Sequence, residues 1–148
     1  MARIKLRYGI PNIALPRVVG GEINPADFAG HELVVFFCPS DPAAAAREIE
    51  EYRSRAGAFQ DRGAWLVGVL SGCLAVRPDP PAGTSHITLA RDTEGQGWAA
   101  FEALLDVDQR TEEMQGGVFL FDRGGCLNRA WARTGHAQDV LCELRGRT

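Results

Sequence analysis

Four thiols are the side chains of this sequence best suited to covalent chemistry: Cys38, Cys73, Cys126 and Cys142. A thiolate is both a nucleophile and a metal ligand, and its pKa and exposure govern its reactivity. No two of the four form a Cys-x-x-Cys pair, and none stands at metal-ligand spacing with His31, His86 or His136. No metal site and no cofactor is therefore expected. An even number of cysteines is compatible with two disulfides. In a reducing compartment, with a chain long enough to bury a core, free packed thiols are the simpler expectation. Cys38 is the sharpest candidate. It closes the apolar run Leu33–Cys38, and open α/β sheets bind ligands at the C-terminal ends of their strands. Cys38-Pro39-Ser40-Asp41 reads as a redox tetrapeptide whose second cysteine is replaced by Asp41. Cys73 follows the next apolar run, so the two thiols could approach each other if both strands end level. A disulfide there needs Cα atoms within about 7 Å. Cys126 and Cys142 read as packing or surface residues.

Other polar groups are weaker candidates. A helix beginning at Ser40–Ala46 offers free backbone N–H groups to an anion. Against that, Ser40 or Asp41 can cap the same groups. The three histidines are far apart and read as surface residues. Trp65, Trp98 and Trp131 fall on apolar faces and read as core, and Glu48, Glu50 and Glu51 as a solvated helix face.

The elements that must position these groups follow from periodicity. Arg3–Tyr8 alternates like a short strand, and Pro11–Pro16 is an extended lead-in. Arg17–Glu22, with Gly20-Gly21, looks like a small hairpin, and Asn24–Gly30 like a short helical turn. Glu32–Phe37 is apolar on both faces, as a central parallel strand should be. Pro42 suits the first position of a helix, here predicted over Ala43–Phe59 with Ile49, Tyr52, Ala56 and Phe59 on one side. Ala64–Leu70 is a second buried strand. Together these make a right-handed β-α-β unit with parallel strands. Leu74–Ser85 is loop, His86–Leu89 a short edge strand, and Gly97–Leu105 a helix. Asp106–Gly117 is polar and ambiguous. Val118–Phe121 and Cys126–Trp131 flank a Gly-bearing turn and form an antiparallel hairpin, and His136–Leu144 is a final amphipathic helix. This order predicts an α/β fold of thioredoxin type, a mixed central sheet flanked by helices. A length of 148 residues without repeat or boundary predicts a single domain, 1–148.

Composition excludes several functions. Nineteen acidic against sixteen basic residues give a net charge of −3, and the arginines form no run, so nucleic acid is not an expected partner. No stretch approaches the roughly 18 consecutive apolar residues of a membrane span, and the first residues alternate instead of forming a signal-peptide core. The expectation is a cytoplasmic protein with no membrane partner.

Several segments resemble the peroxiredoxins of the alkyl hydroperoxide reductase/thiol-specific antioxidant type, within the redoxin superfamily. Pro11–Pro16 is similar to the family's opening aP-x-F-x-L-P, and Ala26–His31 to L-x-D-F-x-G-K. Val34–Asp41 is similar to V-V-L-F-F-Y-P-x-D, and Phe119–Gly125 to F-L-I-D-x-x-G. The similarity runs from about Pro11 to Leu144. It implies a thioredoxin-like fold, antioxidant or oxidoreductase activity, and self-association as a homodimer around the active-site edge. The family's catalytic pattern is Pro-x-x-x-Thr-x-x-Cys. Here Pro39 occupies the Pro position, Ala43 the Thr position and Ala46 the position of the peroxidatic Cys. The family's Arg before the F-L-I-D strand is replaced by Gly116-Gly117-Val118, the nearest preceding arginine being Arg110. Peroxide reduction needs a sulfur nucleophile to attack the O–O bond, with the Thr hydroxyl and Arg holding the peroxide oxygens. An alanine methyl supplies none of this. Two readings stay open: a binding or regulatory module whose partner is an unidentified protein or small molecule, with Ser40 and Asp41 at its edge, or a thiol-disulfide exchanger using Cys38, with or without Cys73.

Overall fold

The computed structural model describes residues 9–18, 21–71, 87–92, 95–104, 116–132 and 135–145. A small ribbon opens the chain, β1 (Leu15–Pro16) against β2 (Glu22–Ile23), followed by a 3₁₀ turn at Pro25–Phe28. Then come β3 (Glu32–Phe37), α1 (Pro42–Arg53), α2 (Ala56–Asp61) and β4 (Ala64–Ser71). β5 (Ile87–Asp92), α3 (Gln96–Glu102), β6 (Gly117–Phe121), β7 (Leu127–Ala132) and α4 (Ala137–Arg145) complete it. The five-stranded sheet has the order β5-β4-β3-β6-β7. β3, β4 and β5 run parallel, while β6 and β7 are antiparallel. This is the mixed α/β sheet the β-α-β and hairpin signals predict.

β3 shows why its sequence carries no polar alternation. Val34 and Phe36 face one core with Ile49, Tyr52, Phe59, Val140 and Leu144. Leu33, Val35 and Phe37 face the other with Phe101, Phe119 and Phe121. Both faces are covered by helices, so both are apolar.

The predicted helix Ala43–Phe59 is two helices. Ser54 donates its hydroxyl to the Glu51 carbonyl at 3.1 Å, and the Arg55 N–H takes the Tyr52 carbonyl, three residues back. This tightened turn ends α1 before α2 begins, a local hydroxyl competing with the helical ladder. The edge strand runs on from Ile87 to Asp92, whose carboxylate accepts the Gly97 and Trp98 N–H groups at 2.8 Å each and so starts α3. Trp65 is not core: it is 42% exposed, with Phe28 and His31 against its ring. It lies near the start of β4, where these two residues cover it only in part. Glu48 is not solvated but 3% exposed. His136 is half-buried, near-parallel to the Trp131 ring and 2.9 Å from Asp139. Arg3–Tyr8, Cys73, the loop Leu74–Ser85, His86 and most of Asp106–Gly117 lie outside the described residues.

Candidate functional site

The C-terminal ends of β3 and β4 form the edge where the sequence places its candidates. The Cys38 N–H donates to the Val69 carbonyl at 2.9 Å, which carries the parallel ladder one residue past β3. Strand alternation then sends the Cys38 side chain to the same face as Val34 and Phe36. It ends fully buried among Ala45, Ile49 and Tyr52. Burial, with a smaller contribution from the Glu48 charge, pushes its thiol far above the ordinary range. A sulfur held this way keeps its proton and does not face solvent, the reverse of what a nucleophilic thiol requires.

Pro39 is half-buried and Ser40 exposed, and neither caps α1 by its side chain. Asp41 is the cap. Its Oδ2 accepts the Ala44 N–H at 2.9 Å while its carbonyl accepts the Ala45 N–H at 2.8 Å. Pro42 occupies the first helical turn, where its missing N–H costs nothing. The helix start is thus served by its own sequence, which weakens the anion-binding reading. Ala43 and Ala46 are both exposed on this first stretch of α1, and Ala45 alone of the four alanines is buried. Across the edge, Gly117 pairs with Phe37 in register. A Cβ at Gly117 would stand 3.3 Å from the Trp131 carbonyl oxygen and 3.6 Å from the Trp98 ring. Chain backbone and indole fill this corner.

The other thiols are elsewhere. Cys126 is exposed at the β6–β7 turn, its N–H on Asp122 Oδ1 at 3.1 Å. Cys142 is exposed on α4, 3.6 Å from Gln138 Nε2. Among the described residues no group of His, Cys, Asp and Glu is arranged to hold a metal ion. No described helix is long and apolar enough to cross a membrane.

Sequence reasoning missed the polar residues behind Cys38. Glu48 and Tyr52 share the buried stripe of α1 with Ala45 and Ile49. Glu48 Oε1 accepts the Gly135 N–H at 3.1 Å, which ties the lead-in of α4 to α1. Burial raises the Glu48 carboxyl above its usual range and the nearby Glu51 adds to this, while the Gly135 hydrogen bond and His136 oppose it. The available signal was position: 45, 48, 49 and 52 follow the helical period, and Glu48 is the charged member of an otherwise core-facing set.

The sequence pattern of the AhpC/TSA family matches residues 7–125. The chain belongs to the AhpC/TSA family. Solved structures share its fold at low identity. Peroxiredoxin Q of Xanthomonas campestris superposes with a TM-score of 0.69 at 23% identity, covering 90% of each chain. The mitochondrial 2-Cys peroxiredoxin of Plasmodium falciparum gives 0.69 at 16% identity, covering 95% of this chain and 92% of that one. A putative thiol:disulfide interchange protein DsbE from Chlorobium tepidum gives 0.65 at 17% identity, covering 97% and 96%. No curated protein matches the chain. The family membership and thioredoxin-like fold implied by the sequence segments are thereby established.

Proposed function

We propose that this AhpC/TSA-family protein is a single-domain binding or regulatory module without peroxidase chemistry, which self-associates as a homodimer. The observation that carries the reading is the pairing of two facts. The first stretch of α1, where the family resemblance puts the reacting thiol, presents only alanine methyls to solvent at Ala43 and Ala46. The one described thiol close to that edge, Cys38, is turned into the core. An unidentified protein or small molecule is the partner. Ser40 and Asp41, both exposed beside the alanines, lie at the edge it would touch.

Thiol-disulfide exchange is the competing reading, and burial of Cys38 counts against it. Reduction of insulin disulfides with dithiothreitol as electron source separates the two. The expected result is no acceleration over dithiothreitol alone, with wild type and Cys38→Ser indistinguishable. Turnover by the wild type that Cys38→Ser abolishes would replace the binding module with an exchanger.

A further inference from the structure

Behind the Pro39–Ala46 edge, α1 buries polar atoms that lack a hydrogen-bond partner among the described residues, Glu48 Oε2 and Tyr52 Oη among them. Tyr52 is fully buried and Glu48 is 3% exposed. Buried polar atoms in native proteins are nearly always satisfied, by protein or by an ordered small molecule. These two are one helical turn apart, so their Cβ atoms are about 5–6 Å from each other. Long helical side chains lean toward the helix N-terminus, which carries the Tyr52 hydroxyl back over the turn bearing Glu48. The Tyr52 ring is held by its stack on Phe36, at 4.0 Å between centroids and 10° between planes. The Glu48 and Cys38 charges are, in that order, the leading electrostatic influences on the Tyr52 hydroxyl, after burial. Cys38 belongs to the same core cluster as Tyr52, so a thiol joins the carboxyl oxygen and the phenol behind this edge.

We propose that Glu48, Tyr52 and Cys38 enclose a buried binding site for a water-sized hydrogen-bonding molecule, held in solution by one long-lived water. The inventory of donors and acceptors fits. Burial favours the neutral form of the phenol and the thiol. The Glu48 carboxyl, whose Oε1 accepts from Gly135, leaves Oε2 as an acceptor, and the phenol has a proton to donate. Water accepts from the phenol and donates its two hydrogens to Oε2 and to the Cys38 sulfur, a weak acceptor. The site shares with the functional reading above only the inward turn of Cys38, and uses neither Ala43 nor Ala46.

Oxygen-17 magnetic relaxation dispersion on the full chain counts internal waters that stay longer than the protein's tumbling time and still exchange with bulk during relaxation. Wild type is expected to hold one more such water than Tyr52→Phe combined with Glu48→Leu. Tyr52→Phe alone keeps the ring stack on Phe36, and is expected to shorten that water's residence at least tenfold. If the double variant does not fold, the single variant and a high-resolution crystal structure of wild type still decide. Density for a third atom between Oε2 and Oη supports the site. Equal water counts in wild type and a folded double variant would overturn it, as would density with Oη directly on Oε2 and nothing between.

Discussion

Gly68→Ala is expected to lower stability by about 3 kcal/mol, the upper part of the usual range for overpacking a core. Gly68 sits in the middle of β4, in register with Phe36 on β3 and Leu89 on β5. A Cβ there would lie 2.6 Å from Phe36 Cζ and 2.8 Å from Leu89 Cδ2. Leu89 can turn away. Phe36 cannot do so cheaply, because its ring is stacked on Tyr52, which in turn packs near Phe59. The clash therefore spreads through β3 into α1 and α2. For a chain of this size, about 3 kcal/mol corresponds to a melting point lower by roughly 6–12 °C. Gly57→Ala is the control. Nothing stands within 4 Å of a Cβ at that position in α2, and alanine there should be neutral or stabilising by up to about 1 kcal/mol. A thermal melt of both variants checks the pair. Equal melting points for Gly68→Ala and wild type would show that Phe36 is not held as described.

Alkylation of the native, reduced protein is expected to spare Cys38 by on the order of a thousandfold relative to Cys126 and Cys142. The two exposed thiols meet the reagent directly. Cys38 reacts only when α1 opens, and burial together with the Glu48 charge disfavours its thiolate. In denaturant the difference disappears. The sign of the linked stability follows. The folded chain keeps the Cys38 proton when the unfolded chain, with an ordinary thiol near 8.5, begins to lose it. The folded state then binds more protons, so stability falls as pH rises past about 8.5, and Cys38→Ala removes that part of the slope. Site-resolved mass spectrometry after timed exposure to iodoacetamide reads the rates. Rapid labelling of Cys38 at neutral pH would contradict its burial.

Much of the sheet was legible because its signals are local. Leu33–Phe37 and Leu66–Leu70 are unbroken apolar runs, and Asp122–Cys126 carries its own turn chemistry, with Asp122 Oδ1 accepting the Gly124 and Cys126 N–H groups. The break between α1 and α2 was not legible. It rests on the Ser54 hydroxyl choosing a backbone carbonyl, and on Arg55 reaching Gln138 of α4 at 3.1 Å, a contact 83 residues away in sequence. Charge alone places Glu48 in solvent, whereas the structure buries it. Its neighbours on the stripe, Ala45, Ile49 and Tyr52, were the better guide. Trp65 is the opposite case: an apolar residue in a strand predicts core, but its partners Phe28 and His31 leave part of the ring in water. For the site itself, position was readable and orientation was not drawn out. Cys38 continues the alternation of Val34 and Phe36, so its inward direction follows once β3 is known to be covered on that face.

The proposed loss of peroxidase chemistry is tested most directly by mixing the reduced protein with hydrogen peroxide under pseudo-first-order conditions and following thiol oxidation. The account predicts a slow reaction at the exposed Cys126 and Cys142, at rates typical of unactivated thiols, with Cys38 still reduced. Fast, saturable oxidation that Cys38→Ser abolishes would contradict it, and would mean that a thiol outside the family's catalytic position has taken over the reaction.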